Sequence, residues 1–200
     1  MKALAFDLST REGSIALADD DRLIVSRQWA NDQRNSAPFF DALNQIIREY
    51  SSPEMIIVGT GPGSYTGTRI AISAAIGLQA CTGALIYGLP SISAISAEAD
   101  YAVLGDAKRL SFFFARVRGG MFVNEIALMS EPNIVERISQ TTIPIYTSDD
   151  LPQFKQAKLR FPSGALLCQR ALEFPRDLVR APLSPIYLRE PHITVERAKK

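Results

Sequence analysis

The chain has 200 residues, 46% of them hydrophobic, with 22 Lys and Arg against 21 Asp and Glu, a formal net charge of +1 and a single histidine. That balance excludes a disordered chain and a global basic field for nucleic acid. Cys81 and Cys168 follow no CxxC pattern, which argues against a disulfide framework or a cysteine zinc site. The apolar run in MKALAFDLSTREGS is shorter than the ~7–15 residues of a signal-peptide core. No run approaches the ~18 apolar residues of a membrane helix. The expectation is a cytoplasmic protein without membrane contact.

In chain order, KALAFDL (2–8), SIALAD (14–19) and RLIVSRQW (22–29) read as short strands, joined by the tight polar links of antiparallel hairpins. SAPFFDALNQIIREY (36–50) switches to helical period, with Ser36 able to cap it and Pro38 in the first turn. Its stripe is Phe39, Leu43, Ile46, Ile47 and Tyr50. MIIVGT (55–60) is a buried strand, and a Gly-rich turn then opens a helix over 66–81. ALIYG (84–88) reads as a strand and SISAISAEA (91–99) as a helix. This βββαβαβα order is the ribonuclease-H-like one, the half-unit of the actin and Hsp70 fold. A looser second copy follows, with strands at 109–117, 121–128, 133–138 and 143–147 and a helix at 164–174. The predicted class is therefore α/β, with two ribonuclease-H-like, actin-like (ASKHA) subdomains, mixed sheets flanked by helices. The boundary is placed in ADYAVLGDAKR, giving an N-terminal subdomain at 1–104 and a smaller C-terminal one at 105–200.

The turn GTGPGSYTGTRIA (59–71) leaves backbone N–H groups bare at a helix N-terminus. Asp7, Ser9, Gly61, Gly63 and Ser64 are thus candidate phosphate or nucleotide contacts. The turn is neither a P-loop nor a GxGxxG fingerprint. Its glycines equally serve a sharp turn and close helix–sheet packing. His192, near the basic tail ERAKK, has no histidine or triad partner, which argues against metal or nucleophilic catalysis and reads as a surface position. After Arg69 the helix is apolar almost all round and must be covered all round. One face packs on its own sheet. The other lies under the second subdomain or against a partner.

LAFDLSTREGSIAL (4–17), GTGPGSYTGTRIAIS (59–73), GLPSISAIS (88–96) and PIYLRE (185–190) resemble, in order, the bacterial TsaB (YeaZ) family. The match is stronger over 1–100 than over 101–200. The resemblance implies a non-catalytic scaffold that pairs with the TsaD (Gcp/Kae1-like) subunit in forming N6-threonylcarbamoyladenosine at position 37 of tRNAs reading codons that start with A. The TsaE ATPase joins them, tRNA is met only through the complex, and the chain alone forms homodimers. The expected partner face is Phe39, Phe40, Leu43, Ile47, Tyr65, Arg69, Ile72, Ser73, Ile76 and Ala80. No metal and no cofactor is expected, ATP or ADP at a shared interface being the alternative.

Two motifs depart from the family pattern. Asn35-Ser36 replaces a His-Ser pair. Where an Asp-Ala-Arg run should follow a strand, the chain reads Phe114-Ala115-Arg116, and RVRGGMF (116–122) only loosely matches Arg-x-Gly-Glu-x-Tyr. The missing carboxylate argues against nucleotide hydrolysis. The rival readings are an actin-like ATP-dependent enzyme using Asp7, a metallopeptidase, which the histidine count disfavours, and a homodimeric binding module for an unrelated partner.

Overall fold

A computed structural model describes residues 1–32, 35–50, 52–123, 125–173 and 183–189. His192, the basic tail, Phe174 and Glu190 lie outside the described residues. The first half forms β1 (Lys2–Asp7), β2 (Glu12–Asp19), β3 (Arg22–Ala30), α1 (Ala37–Tyr50), β4 (Met55–Gly59), α2 (Tyr65–Thr82) and β5 (Leu85–Leu89). Their sheet runs β3-β2-β1-β4-β5, with β1–β2 and β2–β3 antiparallel and β1–β4 and β4–β5 parallel. The second half forms β6 (Asp100–Asp106), β7 (Ser111–Arg118), β8 (Met121–Phe122), β9 (Ala127–Ser130), α3 (Glu131–Ser139), β10 (Ile145–Thr147), β11 (Ala157–Leu159) and α4 (Gly164–Glu173). There β6 is central, antiparallel to β7 and parallel to β10, and β9 pairs β7. The order β11-β10-β6-β7 with β9 outside β7 repeats the first sheet strand for strand.

Side-chain size along β1 and β2 sorts the two faces of the first sheet. Leu4, Phe6, Ile15 and Leu17 point under α1 and α2, where Phe39, Leu43, Ile46, Ala71, Ile72 and Ala75 complete a core. Ala3, Ala5, Ala16 and Ala18 form the other face, and α4 lies on it through Leu167 and Cys168. The alanines let α4 come close. A Cβ on Gly164 would stand 2.8 Å from the Ala16 nitrogen and 2.9 Å from the Ala5 oxygen. Burial pushes the Cys168 thiol up to about 12, so it packs rather than reacts.

Four expectations change. Residues 91–99 are not a helix, only a 3₁₀ turn at Ser91–Ala94. The serines divert their side chains to the backbone, with Ser93 Oγ donating to Pro90 O and Ser96 Oγ accepting from Glu98 N. Residues 133–138 are helical, because Ile134 and Ile138 face the core at i, i+4 and Pro132 opens the helix. The segment 121–128 divides between β8 and β9. The boundary at 104/105 cuts β6, a buried central strand, and α4 of the second half returns to the first sheet.

That return is held by Arg170, 5% exposed on α4. Its Nε donates to Ser93 O (3.3 Å) and its Nη2 to Ser96 O (3.0 Å) and Glu98 O (3.5 Å), while Nη1 pairs with Glu173 at 2.7 Å. The segment joining the subdomains is thus bolted to α4. Arg170→Met keeps the volume but leaves buried carbonyls unpaired, at an expected cost of about 2 kcal/mol. A urea titration checks it, and an unchanged midpoint would contradict the bolt.

Candidate functional site

The glycine turn is first a packing device. A Cβ on Gly63 would lie 2.2 Å from Ser9 O, and one on Gly67 2.0 Å from Leu8 O. Ser64 N donates to Ser9 O at 2.6 Å, and the Ser64 side chain caps α2 by accepting from Gly67 N. The first turn of α2 therefore presses against the backbone that leaves β1. Only glycine permits that approach at these two positions. For α1, Asn35 Oδ1 accepts from Ala37 N, while the Ser36 carbonyl accepts from Phe40 N.

The candidate phosphate contacts separate on inspection. Ser9, Gly63 and Ser64 line a cleft of about 460 Å³ between the subdomains. Gly61 is buried and its N–H is spent on Ser91 Oγ at 2.8 Å. Asp7 does not reach the cleft. It is wholly buried, with Oδ1 accepting from Ser9 N (2.8 Å) and Ser9 Oγ (2.7 Å). Its Oδ2 has no hydrogen-bond partner and lies against Gly59, where a Cβ would meet it at 1.7 Å. A carboxylate sealed beneath the turn cannot hold magnesium or phosphate from the cleft without a rearrangement.

Burial pushes the Asp7 carboxyl up from its ordinary value, against the lowering effect of its serine neighbours. A folded pKa above the unfolded one means the folded state binds the extra proton. Stability from this group is therefore lost as pH rises through the folded value. Asp7→Asn keeps the acceptor for Ser9 and removes the buried charge. Its melting temperature should exceed that of the parent at pH 8, and the gap should close toward pH 4. An equal loss at both pH values, by calorimetry, would contradict this.

One predicted departure is overturned. Phe114 is a core residue of the second sheet. Arg116 is spent on Asp100, through Nε to Oδ1 (2.8 Å) and Nη2 to Oδ2 (2.6 Å). That pairing holds the Asp100 carboxyl down at about 2. The run that should follow a strand is Asp106-Ala107-Lys108, after β6. Both central strands thus end on an aspartate, Asp7 and Asp106. The expected subdomain boundary in ADYAVLGDAKR hides this carboxylate, because that stretch is the strand β6 and Asp106 is its last residue. Asp106 accepts from Lys108 N (2.7 Å) and Nζ (2.8 Å). Beside it, Asp149 accepts from Asp106 N at 2.8 Å, and burial raises the Asp149 carboxyl. Arg11, Lys108 and Arg189 line the same cleft as these acids, and the sequence singled out none of them. Among the described residues, no group of three or more His, Cys, Asp or Glu could hold a metal ion, and no helix is long and apolar enough to cross a membrane.

The expected partner residues also separate. Phe39, Leu43 and Ile72 are buried in the first core and present nothing outward. Ile47 is half-buried against it. Phe40, Tyr65 and Ile76 stand 45%, 44% and 50% exposed, and Arg69, Ser73 and Ala80 are exposed with them along α2. Phe40, Tyr65, Thr66, Arg69, Ile70, Ser73 and Ala74 line a shallow groove between α1 and α2. The inner face of α2, Thr68, Ala71, Ile72 and Ala75, packs on the sheet. The outer face, which carries Tyr65, Arg69, Ser73, Ile76 and Ala80, is exposed.

No family model matches the chain. An uncharacterised protein of Mycobacterium leprae is 28% identical over 149 residues, covering 69% of this chain and 38% of that protein. An uncharacterised protein of Mycobacterium tuberculosis is 29% identical over 94 residues, 46% of this chain and 44% of that protein. The chain thus spans less than half the length of the curated relatives it matches. Among solved structures, YeaZ from Pseudomonas aeruginosa superposes with a TM-score of 0.66 at 19% identity, over 86% of this chain and 91% of that one. An uncharacterised protein with similarity to peptidase YeaZ from Pseudomonas aeruginosa gives 0.71 at 19% identity, over 94% and 99%. The chain has the fold of the TsaB (YeaZ) family, an α/β fold of two ribonuclease-H-like subdomains.

Proposed function

We propose that the chain is a TsaB-type scaffold subunit, non-catalytic itself, that pairs with a TsaD-type subunit in forming N6-threonylcarbamoyladenosine on tRNA. The observation that carries this reading is the open groove of α1 and α2. Phe40 of α1 and Tyr65 of α2 stand half exposed in it, while the inner faces of both helices pack into the first core. A patch of that kind on a soluble chain marks an interaction site. GPGSYTGTRI, the segment of highest specificity for the family, builds the turn that sets this helix in place. The sealed position of Asp7 supports a scaffold over a magnesium-dependent ATPase.

The test is co-purification with the TsaD-type subunit of the same organism, followed by analytical ultracentrifugation. A 1:1 or 2:2 complex is the expected result. A chain that sediments unchanged in the presence of that subunit would count against the reading. A homodimer that the subunit does not dissociate would favour a binding module with another partner.

A further inference from the structure

Residues 183–189, from the segment that carries PIYLRE, cross the cleft as a strap. Leu183 packs against the core of the first subdomain. Ile186 N donates to Thr60 O at 2.8 Å, so the strap is hydrogen-bonded to the start of the glycine turn. Leu188 packs against the core of the second subdomain. Between these anchors the Tyr187 ring stacks on Tyr65, with centroids 5.2 Å apart and planes 28° from parallel.

Tyr65 borders two features at once, the cleft and the α1/α2 groove. The Arg69 guanidinium sits 5.1 Å from the centre of the same ring and donates to its hydroxyl. Tyr187, Tyr65 and Arg69 therefore form a cation–aromatic stack at the rim of the groove. The two tyrosines remain 42% and 44% exposed, although each already carries an aromatic neighbour. Tyr and Arg side chains with apolar surroundings are the types that dominate binding energy at interfaces. A tyrosine fixed by a neighbouring ring also loses little rotamer freedom on docking.

We infer that Tyr187 is a residue of the partner face, delivered to it by the strap, so that docking on the groove is tied to the segment that spans the cleft. This rests on the groove being the docking surface proposed above. It adds a contact from a part of the chain that lies far from α1 and α2 in sequence.

The experiment measures the affinity of the full chain for the TsaD-type subunit by titration calorimetry, for the parent, Tyr187→Ala, Tyr187→Phe and Ala74→Arg. Hydrogen exchange of the parent is followed with and without that subunit. Tyr187→Ala should bind about tenfold more weakly, a loss of about 1.4 kcal/mol, and Tyr187→Phe should stay within about twofold, since the ring makes the stack. The amides of Ile186 to Leu188 should gain protection in the complex. Parent-like binding by Tyr187→Ala, with Ala74→Arg unable to bind, overturns this inference and leaves the groove in place. Parent-like binding by Ala74→Arg overturns the groove itself. Should Tyr187→Ala fold poorly, unchanged exchange at Ile186 to Leu188 in the parent complex overturns the inference alone.

Discussion

Gly67→Ala is expected to destabilise the protein by about 3 kcal/mol, at the upper end for overpacking, while Gly77→Ala on the same helix stabilises it by about 0.5–1 kcal/mol. The added methyl at Gly67 would stand 2.0 Å from the Leu8 carbonyl oxygen and 3.0 Å from its carbon. These are backbone atoms of the loop leaving β1, and they can yield only if α2 shifts away. Displacing the first turn of α2 would also disturb the Ser64 cap and the Ser64–Ser9 backbone bond. At Gly77 an added Cβ has nothing within 4 Å. Only the helix propensity changes there. Denaturant melts of both variants check the pair. A Gly67→Ala midpoint within error of the parent would mean the glycine turn is not set by packing.

Ala74→Arg and Ile76→Glu should each weaken pairing with the TsaD-type subunit by about 100-fold or more. Each would set a charge without a partner into an apolar contact, a penalty of several kcal/mol, and 1.4 kcal/mol is a factor of ten. The fold should be spared. Ala74 lines the open groove and Ile76 is half exposed, so neither charge has to enter the core of the isolated chain. Sedimentation of the mixed subunits separates the outcomes. Retained pairing in both variants would remove α2 from the interface.

Much of the fold is legible from local pattern. The stripe of α1 names its buried face, and the alternation of small and large residues in β1 and β2 marks a sheet covered on both sides. The segments misread were those whose pattern is short or whose partner is remote. YAVLGD falls at the expected subdomain boundary, yet pairing with β7 and β10 makes it the central strand. NIVERI carries its apolar residues at Ile134, Val135 and Ile138, over too few positions to separate strand from helix, and packing against the sheet decides it. The docking of α4 rests on Arg170, which seeks carbonyls more than seventy positions away. No local signal points there.

The candidate site was legible in part for the same reason. The helix that was apolar all round called for a second cover, and the open groove is where that cover is missing. Which of its residues face outward depended on rotation about the helix axis. Phe39, Leu43 and Ile72 turn inward, while Phe40 and Ile76 turn out. Asp7 gave the opposite lesson. A strand-end aspartate suggests ligand chemistry, but the approach of the glycine turn buries it. Tyr187 and Tyr65 lie far apart in sequence, and no local pattern places one beside the other.

The most direct measurement is a tRNA threonylcarbamoylation assay reconstituted from the TsaD-type and TsaE-type subunits and the threonylcarbamoyl-AMP synthase of the same organism, with and without this chain. Product should form only when the chain is present, and Ala74→Arg should fail to restore it. Product formed at the same rate without the chain would contradict the scaffold role.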